Sequence, residues 1–442
     1  MALLAASSFL AAGVTAQAAD LGVGGNCCAD LEERIAELEA TAVRKGNRKV
    51  SLTVSGLVNE GLLAWDDGVE RNAYVATNEQ QRTRFRFLGS AKIDSKWSAG
   101  YLLEIGVRGN PQFQLSQNVS AGSSKGLDVR HSAWYLQNSD LGKVWVGQTS
   151  QASDGITEIN LANAGHFASA QIGDYIGSFS VRGTNGALST TTVANLTNQA
   201  AASQGSPGEG ARVNLIKYET PTLAGFTGSA AWGEDKFWDI ALRYAGEFSG
   251  FKLAGGIAYQ QWDDGTANPR LCSRAGGTSN TSCDELGMSG SIMHVPTGLY
   301  GFGAYGYHND DNRQLLTGVS ATKKKDEFYY LQGGIEQSFF PLGKSTFFGE
   351  YYNGTYGAST TAGVTNGGSS TARTLGLTGF TNKINSTVVD MWGLGFNQNI
   401  AAAAMDMYVD YRNYQFEIKD TAGNKASVND MQTVIMGARI QF

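Results

Sequence analysis

The sequence predicts an all-β protein, a transmembrane antiparallel β-barrel of about sixteen strands. Three observations carry that prediction. Apolar and polar residues alternate along most of the chain, in runs that often reach the ~10 residues a membrane strand needs, where strands of soluble sandwiches usually stop at about five or six. Glycine is abundant, 57 of 442 residues, with 6 prolines, 10% aromatic and 17% charged residues, a composition opposite to that of a disordered chain. Beyond the N-terminus no stretch is long and apolar enough to cross a bilayer as a helix, so a membrane-resident chain must close as a barrel. The net charge of −6 argues against a nucleic-acid partner.

Residues 1–18 read as a secretion signal, with an apolar core from Leu3 to Val14 and the small-x-small sequence Ala16-Gln17-Ala18, so the mature chain is expected to begin at Ala19. The positive residues usual before the core are missing, which points to a start codon further upstream. A membrane anchor is the alternative, but the run falls short of the ~20 residues a spanning helix needs. Residues 19–47 form a separate N-terminal segment. Asp30 and Glu33 suit a capping box, and Leu31, Ile35, Leu38 and Ala42 recur at coiled-coil spacing, with Arg34 and Glu39 at the flanking charged positions. About two heptads do not hold alone, so this helix makes sense when a larger oligomer gathers several copies. The alternative is one amphipathic helix lying on the barrel mouth. Cys272 and Cys283 share one polar loop, where a disulfide after export is expected. Cys27 and Cys28 suit either bridging between subunits or unpaired thiols. No spacing implies a metal site, and no cofactor is expected.

Residues 48–442 are the barrel domain. Val50, Leu52 and Val54 alternate with Ser51, Thr53 and Ser55; Thr83, Phe85 and Phe87 with Arg82, Arg84 and Arg86; Val434, Met436, Ala438, Ile440 and Phe442 with Thr433, Ile435, Gly437, Arg439 and Gln441. Strands are expected near 48–65, 79–94, 96–109, 125–138, 142–149, 209–219, 224–233, 236–247, 250–262, 285–295, 298–309, 326–339, 343–355, 387–398, 400–418 and 427–442. Their connections mostly alternate between short turns, such as Asp94-Ser95, Phe248-Ser249 and Pro341-Leu342, and long loops at 66–78, 110–124, 150–208, 263–284, 310–325, 356–386 and 419–426. That alternation puts both termini at the short-turn, periplasmic end.

The stretch Cys28 to Ala40 (CADLEERIAELEA), followed by Arg44 to Gly56 (RKGNRKVSLTVSG), resembles the mature N-terminus of outer-membrane general porins of the alphaproteobacterial, rhizobial type. Gly142 to Gly155 (GKVWVGQTSQASDG) is similar to the segment leading into their constriction loop, and Arg439 to Phe442 resembles the terminal signal read by the outer-membrane assembly machinery. The resemblance implies a sixteen-stranded homotrimer in the outer membrane of a Gram-negative bacterium, in contact with lipid and lipopolysaccharide and passing small hydrophilic solutes. It also implies that the loop after the fifth strand, within 150–208, folds into the lumen.

A channel of that kind has no catalytic step; its working part is a ring whose width and charge select what passes. The pore constriction is expected at Arg82, Arg84, Arg86 and Arg108 on the wall, with Asp154, Glu158 and Asn160 on the loop opposite. The alternative is a solvated rim of arginines that binds lipopolysaccharide. Lys143 and Trp145 are expected near the base of the loop. Arg130 and His131 are adjacent, so only one of the two is expected to point inward. Tyr351, Tyr352, Tyr408, Tyr411 and Tyr414 suit aromatic girdles or ordinary strand positions. Competing readings are a substrate-specific channel, a barrel hydrolase built on one of four scattered histidines, and a structural anchor to the cell wall.

Overall fold

A computed structural model of the chain describes residues 49–199, 206–263, 282–310, 323–357, 360–361, 371–372, 374–380 and 382–442. The signal segment, the helix expected over 30–45, and Cys27, Cys28 and Cys272 lie outside the described residues. Cys283 is disulfide-bonded, to a partner that also lies outside them.

The barrel begins with β1 (Thr53–Asp66), which turns over 67–70 and returns as β2 (Arg71–Thr77). The chain then leaves the wall and resumes as β3 (Arg84–Lys92), β4 (Trp97–Arg108), β5 (Gly126–Asn138) and β6 (Gly142–Ser150). The long loop 151–211 carries two short helices, Ile172–Ile176 and Val193–Leu196, and a small hairpin of β7 (Ser180–Arg182) and β8 (Leu188–Thr192). There follow β9 (Arg212–Glu219), β10 (Phe226–Gly233), β11 (Trp238–Phe248), β12 (Phe251–Asp263), β13 (Ser282–His294), β14 (Leu299–Asp310), β15 (Lys325–Phe340) and β16 (Gly343–Tyr356). A minor pair, β17 (Thr360–Thr361) and β18 (Thr371–Ala372), precedes β19 (Ile384–Ile400), β20 (Met405–Asp420) and β21 (Met431–Gln441).

Each wall strand pairs antiparallel with the next, β6 passing to β9 and β16 to β19, and β21 closes on β1. β2 and β3 occupy one position, pairing with the upper and lower halves of β1, so the seventeen-stranded sheet makes sixteen staves. Closure removes every sheet edge, which a bilayer requires. The last residue takes part: Gly56 and Phe442 exchange backbone hydrogen bonds of 2.8 and 3.1 Å, and the Phe442 ring stays exposed at the short-turn end.

The two faces of the wall are told apart by loop 151–211. Ser289 on β13 donates to Ile156 O at 2.6 Å and accepts from Ile159 N at 3.1 Å, so the face carrying Ser289 is the inner one. Residues in phase with it are buried, such as Tyr300, Phe302 and Ala304 on β14. The opposite phase exposes Ile240, Leu242, Ile257, Leu331 and Leu394, large apolar side chains that suit lipid and not water. Among the described residues no helix is long and apolar enough to cross a membrane.

Four details depart from the sequence reading. First, the loop expected over 66–78 contains β2, and residues 78–83 detour off the wall before β3. Polar groups satisfy that detour in place of ladder bonds: Asn59 Nδ2 donates to Gln81 O, Asn59 N to Thr83 Oγ1, and Asn78 Nδ2 to Tyr408 OH. Second, the strand expected over 400–418 starts later, because residues 401–404 turn, with Ala404 in the left-handed region at φ 46°. Third, Arg130 and His131 both reach inward. A register shift opposite Glu104–Ile105 inserts one extra residue into β5, and such a bulge breaks the strict alternation. Fourth, of the tyrosines expected in girdles, Tyr351 and Tyr411 face outward, whereas Tyr352, Tyr408 and Tyr414 are in the inward phase and buried.

Candidate functional site

Loop 151–211 lies against the inner wall, and the wall strands meet it with small residues where it passes closest. A Cβ at Gly306 on β14 would sit on Pro207 O, and one at Gly287 on β13 would sit on Gly208 O; Gly208 itself takes φ +83°. Only hydrogen leaves room there for two backbones.

The loop is held by carboxylates. Ser153 donates from N and from Oγ to Asp239 on β11, each at 2.8 Å. Gly208 N donates to Glu285 on β13 at 3.1 Å, and Asn163 N to Glu336 on β15 at 2.8 Å. Asn163 Nδ2 reaches Asp406 on β20 at 2.6 Å, and Asn198 Nδ2 reaches Asp326 on β15 at 3.2 Å. All five acids are buried. Arg412 on β20 supplies a sixth fastening. Its Nε and Nη2 pair with Glu350 on β16 at 2.6 and 2.9 Å, Nε lies 3.0 Å from Asp410, and Nη2 donates to Ser169 O of the loop at 3.1 Å. Its guanidinium rests 3.8 Å from the ring centroid of loop residue Tyr175.

The wall from β3 to β5 carries the arginines. Arg84 and Arg86 on β3 face Glu104 on β4, at 3.4 and 3.7 Å, and Arg130 pairs with the same carboxylate at 2.6 Å. Arg82 belongs to the 78–83 detour, not to the strand; it pairs with Asp128 at 2.9 Å and with Glu79 at 3.6 Å. Arg108 is 3.8 Å from Glu79 and 5.4 Å above the Phe113 ring. Lys143 and Trp145 also face inward beside Tyr135, whose ring is tilted 55° to that of Trp145 at 4.8 Å and lies 4.7 Å from Lys143 Nζ.

Asp154 sits where the loop meets this wall. Arg212 bridges it at 3.2 Å and contacts His131 Nε2 at 3.3 Å, and Arg243 Nη2 donates to Asp154 O at 2.8 Å. Glu158 instead accepts from Gln171 within the loop, and Glu209 on the returning leg accepts from Gly155 N, Thr157 N and Thr157 Oγ1. Burial, then the neighbouring Asp154, raises the Glu158 pKa. Burial, then Glu158 and Asp154, raises that of Glu209 well above its ordinary 4.5. Asp154 goes the other way: burial would raise it, but Arg212 and Ser150 outweigh that and hold it low.

These directions predict a pH dependence. Between the ordinary glutamate value and the raised one, the folded loop keeps a proton that a released chain would lose, so its stability falls as pH rises through that window. Current fluctuations of single channels are expected to grow toward alkaline pH, and Glu209→Gln to flatten the trend. A trend of the opposite sign would refute the assignment.

A family model described as Gram-negative porin matches residues 2–419, nearly the whole chain. The chain belongs to the Gram-negative porin family. In fold the porin is similar to the anion-selective porin from Comamonas acidovorans (TM-score 0.52, 15% identity, covering 89% of this chain and 100% of that one). It is likewise similar to OmpT, an outer membrane protein of Vibrio cholerae (TM-score 0.51, 10% identity, covering 91% and 100%). No curated protein matches it in sequence. The porin is an outer-membrane diffusion channel, and family and fold point to a channel rather than an enzyme. Among the described residues His308 pairs with a carboxylate, 2.7 Å from Glu285; it is buried on the inner wall, and Glu285 also accepts from Gly208 N and Gln260. That pair serves the loop's attachment.

Glu104, Arg212, Arg243, Arg412 and the acids that hold the loop are charged residues of the site that the sequence did not single out. Glu104 had a signal, since it is in phase with Arg108 and opposes Arg86 once the β3–β4 turn is placed. Arg412 had little, because only Asp410 lies near it in sequence and its other partners come from β16 and from the loop.

Proposed function

We propose that the porin is a general channel for ions and small hydrophilic solutes, without a catalytic step. Its constriction lies between loop 151–211 and the wall bearing Arg82, Arg84, Arg86 and Arg108, with Asp154 and Glu158 on the loop side. The observation that carries this reading is the loop's attachment to inward carboxylates on four strands, which makes the narrowing a built part of the barrel.

The same reading assigns a homotrimer of the alphaproteobacterial branch, with residues 1–18 removed on export and the helix over 30–45 gathering three chains in the periplasm. The sequence block from Cys28 to Gly56 supports it. Phe442 serves as the signal for the assembly machinery, supported by its exposed ring at the closing strand. Lipid and lipopolysaccharide cover the apolar outer wall, and Cys272 is the partner of Cys283. Single-channel recording in planar bilayers tests the whole. Stepwise insertion with three conducting levels is expected, and a protein that inserts without conducting would sink it. Within the constriction, Arg84→Ala is expected to shift the reversal potential toward cations; an unchanged potential would remove Arg84 from the filter.

A further inference from the structure

Loop 151–211 does not cover the inner wall evenly. It crosses β11, β13, β15, β16 and β20, where the inward charges are mostly carboxylates, and it buries them. Glu285, Asp326, Glu336 and Asp406 are each no more than 7% exposed, and each receives a loop hydrogen bond. The wall from β3 to β6 lies on the other side of the lumen and carries the arginines. There, among the described residues, no loop covers the charges: around the buried Glu104, 4% exposed at its side chain, Arg130 is 10%, Arg84 13% and Arg86 33% exposed, and the buried Arg82 leaves its partner Asp128 33% exposed. The loop's own acids do not restore balance. Asp154 is matched by Arg212, and Glu158 and Glu209 are turned into the loop's hydrogen bonds.

We infer that the constriction selects anions, because the loop seals the acidic half of the lumen and leaves the channel water against the basic half. This rests on the diffusion-channel reading and adds the sign of its filter. The count on the uncovered patch supports it: Arg84, Arg86 and Arg130 share the single carboxylate of Glu104, and Arg82 is matched by Asp128. The patch therefore carries two more guanidiniums than carboxylates, with Arg86 the one most open to the water. Low-dielectric walls concentrate the field of such a patch in a narrow lumen, which enriches chloride, small carboxylates and phosphates there. The buried carboxylates on the far side act weakly, since each has a hydrogen-bond donor or an arginine against it.

The test is the zero-current potential of the wild-type channel under a potassium chloride gradient. A chloride-to-potassium permeability ratio above one is expected, largest at low salt and approaching one as the Debye length shrinks from about 10 Å at 0.1 M to about 3 Å at 1 M. Arg86→Glu, at the most exposed of the three arginines, is expected to bring the ratio below one. A wild-type ratio at or below one would overturn the inference while leaving the channel reading intact. A protein that inserts and passes no current would overturn the channel reading itself.

Discussion

Arg412→Ala is expected to free the constriction loop and lower the stability of the barrel. The guanidinium is fully buried, pairs with Glu350 and Asp410, and donates to Ser169 O. Its removal leaves two buried carboxylates without a counterion, a change that typically costs about 3–5 kcal/mol. The loop loses a hydrogen bond and the Tyr175 stacking at the same time, so two readouts should move together: a lower melting temperature, and larger, noisier single-channel currents. Tyr330 adds a check, since its hydroxyl donates to Glu350 at 2.5 Å and links Arg412 through Gln332 to Asn160 of the loop. A triple variant that also carries Glu350→Gln and Asp410→Asn is expected to recover most of the stability, because removing a whole buried charge network is often near neutral. If Arg412→Ala melts and conducts like the parent, the loop is held by its other fastenings.

The second large effect is expected at Glu104→Gln. Three arginines from β3 and β5 converge on this one carboxylate. The amide keeps part of the hydrogen bonding but none of the charge, so three guanidiniums face one another across adjacent strands. Breaking a buried ion pair typically costs about 3–5 kcal/mol, and the effect should sit toward that range with several pairs lost. The reversal potential should move toward anions whatever its starting sign, since one negative charge leaves the lumen. Low salt should enlarge both effects. A variant with the parent's melting temperature and reversal potential would mean that Glu104 does not organise the patch.

Much of the wall was legible. Each expected strand has a counterpart, because alternation over ten or more residues has one stable solution in a bilayer. The failures have local causes. The 78–83 detour reads as strand because Arg82, Thr83 and Arg84 continue the alternation, yet Asn59 donates to Gln81 O and Asn78 Oδ1 accepts from Gln80 N, which gives that backbone other partners. The bulge at Arg130 is invisible because inserting one residue leaves the composition unchanged while reversing the phase. Tyr351 and Tyr352 show the same limit from the other side: both are aromatic, and one residue of phase puts one toward lipid and the other beneath the loop.

The barrel, its approximate strand number, the alternation of short turns and long loops, and the arginine-rich face of β3 could all be read from residue order, because each follows from a period-two pattern written locally in the chain. The tertiary structure decided which charges channel water can reach. That depends on where a long loop of ordinary composition comes to rest, and its resting place is set by single contacts to strands far away in sequence: Ser153 to Asp239, Asn163 to Asp406, Ser169 to Arg412. Burial turns those acids from a possible filter into fastenings, and no pattern within any one strand records it.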